Sequence, residues 1–190
     1  MFIKIKNVLK SLWIIWFICF FSLVFFLGFT MYTYHIFKKT NSTEYVLSWP
    51  GLLPDNKLYK LKVLRNKIIE KLISSPVKKV EFDLLMADKT IYASKILLDK
   101  GEIALAKETV LKGENYYSML VQDYNQALLQ NKKIPKELDR KITLAAQKHQ
   151  EIFQEAKRIL SREDKKAFEA AENFSKINYD FIIGLRKSPK

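Results

Sequence analysis

The sequence predicts an all-α protein, an N-terminal transmembrane helix followed by an antiparallel bundle of about five helices. Three observations predict it. No residue from Leu12 to Tyr34 is charged. From Leu58 onward, apolar residues recur at alternating spacings of three and four, the signature of helices with one buried face. No period-two run of β-branched residues marks a strand. The expected division is an anchor over 1–37, a tether over 38–56 and a helical bundle over 57–190.

In the expected anchor, Leu12–Phe29 is almost wholly Leu, Ile, Phe, Trp and Val. Twenty-three residues at helical rise reach about 34 Å, enough to cross a hydrocarbon core. Trp13, Trp16, Tyr32 and Tyr34 lie towards its ends, where amphipathic rings favour the interface. The alternative is a cleaved signal peptide with Lys4, Lys6 and Lys10 as its basic start. The exit GFTMYTYHIFKK offers no small-residue cleavage site, which favours a retained signal anchor. Three lysines precede the run and Lys38 and Lys39 follow it, so the positive-inside bias orients the N-terminus to the cytoplasm. The expectation is therefore a single-pass plasma-membrane protein, in contact with lipid there, with its body outside the cytoplasm. Cys19 is the sole cysteine and lies in the apolar run, so the body has no disulfides and rests on core packing.

In the tether, Pro50, Gly51 and Pro54 break any helix, while Trp49, Leu52 and Leu53 are apolar enough to lie along the bundle. Asn41-Ser42-Thr43 matches a glycosylation sequon by spacing alone. Asp55 or Asn56 can cap a first helix, with Leu58, Leu61, Leu64, Ile68 and Leu72 as its apolar face. Ser75-Pro76 reads as N-cap and first turn of a second, whose stripe is Val77, Val80, Leu84, Ala87, Ile91, Ser94 and Leu98. Gly101 closes it. The third carries Ile103, Ala106, Val110, Gly113, Tyr117, Leu120, Tyr124 and Ala127. After a basic turn, Pro135 opens the fourth, with Leu138, Ile142, Ala145, His149, Ile152, Ala156 and Ile159 in line. Ser161-Arg162-Glu163-Asp164 reads as a capping-box variant before the fifth, with Ala167, Ala170, Ala171, Phe174, Ile177, Phe181 and Leu185. Short turns are expected to pack each helix against the next in sequence.

The stretches LLPDNKLYKLK, VKKVEFDLLMADKTIYASKILLDKG and KHQEIFQEA…AFEAAENFSK, over about residues 50–185, resemble a bacterial family known as domain of unknown function 5667. The resemblance implies a helical body behind an N-terminal membrane helix, and His149 and Ser175 fall where that family tends to show histidine and serine. It implies no established activity. The chain departs from the pattern in being lysine-rich where relatives are often acidic.

Chemistry finds little footing. The Glu-x-x-His pattern of di-iron bundles fails, since Ala146 stands three before His149 and Tyr32 three before His35. No serine elbow or phosphate-binding glycine loop occurs. Glu81/Asp83 and Glu163/Asp164 do not share a helix face. His149 on an apolar stripe reads better as a core histidine than as a ligand, because metal sites need several convergent donors. The expectation is no enzyme, no cofactor and no metal.

The charge balance is 33 basic against 20 acidic residues, or +13, and residues 40–190 hold 28 of those bases. Lys78, Lys79, Lys132, Lys133, Lys165 and Lys166 lie at expected helix ends, where they could contact an anionic partner or simply meet solvent. The leading expectation is a displayed helical interaction or scaffold domain, binding a partner protein or anionic envelope polymer. The alternatives are a cytoplasmic-facing basic bundle that tethers nucleic acid or ribosomes, and a regulator of a neighbouring membrane protein. The absence of stacking loops and of a recognition helix speaks against nucleic acid.

Overall fold

The computed structural model describes residues 20–22, 24 and 45–187. The chain divides into two units, Met1–Ser42 and Thr43–Lys190, and the fold below is that of the second. Its helices are α1 (Tyr59–Leu72), α2 (Pro76–Asp99), α3 (Ile103–Leu129), α4 (Lys136–Ile159) and α5 (Lys166–Lys187). No strand occurs among the described residues, so the all-α expectation holds for the body.

The transmembrane expectation, and the single-pass plasma-membrane placement that followed from it, is corrected. Among the described residues no helix is long and apolar enough to cross a membrane. The physical reason is visible in α1 to α5, each of which carries charged side chains along its length. Apart from 20–22 and 24, which are helical, the expected span with its Trp and Tyr ends, Cys19 and the sequon lie outside the described residues.

α2 and α3 form one antiparallel hairpin, α4 and α5 another. The turn between α2 and α3 is fixed by Gly101 at φ 80. Its N–H donates to Leu98 O and the Glu102 N–H to Leu97 O, each at 2.9 Å, the paired bonds of a left-handed helix end. Asn131, at φ 54, repeats the device after α3, donating to Leu128 O while Lys132 donates to Ala127 O. Ser161 and Asp164 exchange bonds ahead of α5, with the Asp164 N–H donating to Ser161 Oγ at 3.1 Å and the Ser161 hydroxyl to Asp164 Oδ2 at 2.7 Å.

The hairpins stack with α2 beside α4 and α3 beside α5. Side-chain pairs show these neighbours to be parallel: Asp88–His149 and Lys95–Glu155 for α2 and α4, Lys107–Asp164 and Ser118–Asn178 for α3 and α5. Packing of every helix against its sequence neighbour is therefore corrected. α3 and α4 lie diagonally and meet through long side chains across the core, as where the Tyr124 hydroxyl donates to Asp139 Oδ1 at 2.8 Å. α3 and α2 approach closely where Gly113 faces Ile91, since a Cβ there would stand 2.5 Å from Ile91 Cγ1.

The core falls into two clusters. One gathers Val80, Leu84, Tyr117, Leu120, Tyr124, Leu138, Ile142 and Ile182. The other gathers Leu47, Ile91, Leu97, Val110, Ile152, Phe153 and Phe168. The segment ahead of α1 is held chiefly by Tyr45 and the buried Leu47, while the expected Trp49 lies edge-on against Tyr92 of α2 and is 67% exposed.

Candidate functional site

Two features stand out as sites: a polar layer inside the bundle and a helix turned inside out on its surface. In the layer, each of four helices contributes a buried polar residue between the two clusters: Asp88 on α2, Glu114 on α3, His149 on α4 and Ser175 on α5. Asp88 is the hub. His149 Nε2 lies 2.9 Å from its Oδ1, and the Tyr45 hydroxyl donates to its Oδ2 at 2.6 Å. Tyr117 meets the His149 ring edge-on, with centroids 5.8 Å apart. Burial pushes the Glu114 carboxyl up to about 8, and burial followed by the neighbouring Glu114 raises the Tyr117 phenol. Both Glu114 oxygens, the Tyr117 hydroxyl, His149 Nδ1 and Ser175 Oγ find no hydrogen-bond partner among the described residues.

His149, Tyr117 and Ser175 are buried to within 1% of complete, while Asp88 and Ser175 border surface cavities of about 570 and 140 Å³. Among the described residues, no group of three or more His, Cys, Asp or Glu could hold a metal ion. The reading of His149 as a hydrogen-bonded core histidine agrees with its burial and its bond to Asp88.

The surface feature is α1. Its expected apolar face was to join the core. Instead Leu58, Leu61, Leu64, Ile68, Ile69 and Leu72 are all exposed, Leu61 at 63% and Leu72 at 77%. The only buried residue of the helix is Asn66, whose Nδ2 donates to Met86 Sδ on α2 at 3.5 Å. Polar groups also hold its start: the Asn56 side chain accepts from the Leu58 N–H at 2.9 Å, just ahead of the helix rather than within it. Lys62 Nζ donates to Pro50 O at 2.7 Å and to Leu52 O at 2.8 Å. The helix thus packs by its polar side.

The expected stripe of α5 is corrected in the same sense. Phe174, Ile177 and Phe181 are exposed, whereas Ala171 is buried as expected, Ala167 and Leu185 pack against the core, and Phe168, Ser175 and Ile182 fill the rest of the buried face. On this helix both faces carry apolar residues, and the pattern alone does not choose between them.

The six lysines singled out from the sequence do not converge. Chain direction puts Lys78 and Lys79, at the start of α2, at the same end of the bundle as Lys132 and Lys133 in the α3–α4 turn. Lys165 and Lys166 sit at the opposite end. Both are ion-paired there, Lys165 with Glu169 at 3.6 Å and Lys166 with Glu163 at 2.7 Å.

No family model, curated protein or solved structure matches the chain. The resemblance described from the sequence rests on the residues quoted for it.

Proposed function

We propose that this chain is an interaction protein, a helical scaffold that holds a partner protein on the outward stripe of α1 and has no chemistry of its own. The observation that carries this reading is the orientation of α1. The four-helix core is complete without it, and yet six large aliphatic residues are held in water by polar bonds on the opposite side. Contiguous exposed apolar surface of this kind marks interaction sites on soluble domains. Leu58, Leu61, Ile68 and Leu72 also recur at the spacing by which one helix docks on another.

A photocrosslinking side chain at Ile68 should yield a discrete adduct with another protein in the native cells. The adduct should disappear when Leu61 and Ile68's neighbour Leu64 are both changed to Asp. The same group at Gln154, on the exposed side of α4, should give none. Equal adducts from both positions would sink the proposal.

A further inference from the structure

A cavity of about 500 Å³ opens beside the α1 stripe, lined by Trp49, Pro50, Leu61, Lys62, Arg65 and Lys89 among others. Leu61 belongs both to this cavity and to the stripe. The charged residues that line it are all cations. Lys62 spends two of its three protons on Pro50 O and Leu52 O, and Arg65 spends Nε and Nη2 on Asn66 Oδ1 at 3.2 and 2.9 Å. That leaves the third Lys62 proton and Arg65 Nη1 unspent. Lys89, half-buried, has no hydrogen bond or ion pair among the described residues. Burial lowers the Lys62 pKa, and the charges of Lys89 and Arg65 lower it further. The three cations repel one another with no carboxylate among them, so an anion entering the cavity would relieve each.

The same charge sign continues along the helix. From 57 to 72 the chain carries Lys57, Lys60, Lys62, Arg65, Lys67 and Lys71 against Glu70 alone. At 100° per residue, Lys60, Lys67 and Lys71 form one row along one flank of the stripe. None of the three has an ion-pair partner among the described residues.

We infer that the occupant of α1 is an acidic amphipathic segment of a partner protein, which lays its apolar side on Leu61, Ile68 and Leu72 and seats a carboxylate in the cavity between Trp49, Lys62, Arg65 and Lys89. The inference rests on the reading of α1 as the partner-holding helix. A second copy of this chain is the wrong occupant. Arg65 stands midway between Leu58 and Leu72, so pairing α1 with itself would set Arg65 against its own copy at the centre of the contact and bring the two lysine rows together at its edge. A lipid surface would also accept basic flanks, and Lys62 does lie on the flank opposite the lysine row. The concave seat where Lys62, Arg65 and Lys89 converge beside Trp49 suits a single projecting carboxylate better than a flat layer of headgroups.

The test titrates the full chain with a synthetic helix of leucine at heptad a and d and glutamate elsewhere, and with its lysine counterpart. The glutamate helix is expected to bind about tenfold tighter or more, with a preference that fades as salt rises. Arg65→Gln with Lys89→Gln leaves the Lys62 bonds to Pro50 and Leu52 in place. It should weaken the glutamate helix about tenfold and leave the lysine helix bound no less tightly than before. Unchanged glutamate binding by that variant, with its circular dichroism intact, would overturn the cavity inference and leave the α1 reading standing. Leu61→Ser with Ile68→Ser should abolish binding of both helices. Retained binding by that variant would overturn the α1 reading itself. Vesicles of phosphatidylglycerol that bind the chain when neither helix does would overturn the protein partner in favour of a lipid surface.

Discussion

The four-helix core and α1 are built from the same sequence pattern, and they use it in opposite directions. In α2, Val80, Leu84, Ala87 and Ile91 recur at spacings of three and four and are buried. In α1, Leu61, Leu64, Ile68 and Leu72 recur likewise and face solvent. What differs is the opposite face. Behind the α2 stripe lie Lys78, Glu81 and Leu85, exposed and without anchorage in the core. Behind the α1 stripe lie Asn66, bonded to Met86 on α2, and Lys62, bonded to the segment ahead of α1. A helix keeps its apolar face in water only if its polar face is held more firmly, and three polar contacts do that for α1. The core thus uses its stripes to fold, and α1 keeps its stripe for another molecule.

This contrast can be broken by truncation. Phe153, fully buried against the His149 ring, should cost about 3–5 kcal/mol as Phe153→Ala, read from urea unfolding followed by circular dichroism. A loss below 1 kcal/mol would mean that the core is not packed as described.

The polar layer should make stability depend on pH. Burial raises the Glu114 carboxyl from 4.5 to about 8, so between those values the folded chain holds a proton that the unfolded chain has released. Its contribution is complete below 4.5 and is lost as pH rises to about 8, by at most about 1.4 kcal/mol per pH unit. Glu114→Gln should remove that part of the slope and become the more stable protein at pH 8. Parallel pH profiles of the two proteins would place Glu114 in water instead.

A smaller effect is expected at the closest helix approach. Gly113→Ala adds a methyl 2.5 Å from Ile91 Cγ1 and 3.3 Å from the Ile91 backbone nitrogen. Overpacking of about 1–3 kcal/mol should outweigh the gain of about 1 kcal/mol in helix propensity. A stabilised variant would mean that α2 and α3 stand further apart.

The helices themselves were legible because their ends are written locally. Pro76, Gly101 and Pro135 each mark a boundary through backbone geometry that needs no neighbour. The stripes of α2, α3 and α4 were legible from spacing alone, apart from Ile159, which is exposed at the end of α4. The α1 stripe was read as core because periodicity reports that a face exists and not what covers it. The α5 stripe was misplaced at Phe174, Ile177 and Phe181, because these are as apolar as the buried Phe168 and Ile182. The diagonal placement of α3 and α4 was not legible from turn length at all. It depends on pairs far apart in sequence, such as Lys95–Glu155 and Lys107–Asp164. The same holds for the candidate site: Trp49, Lys62, Arg65 and Lys89 come together only when the segment ahead of α1 folds back over it.

The most direct measurement is the unfolding of Leu61→Asp with Ile68→Asp beside the unaltered chain. A solvent-facing stripe should tolerate two carboxylates, with the urea midpoint shifted by no more than about 0.5 kcal/mol equivalent and helix content unchanged. A loss of several kcal/mol would put the stripe in the core and contradict the outward orientation of α1.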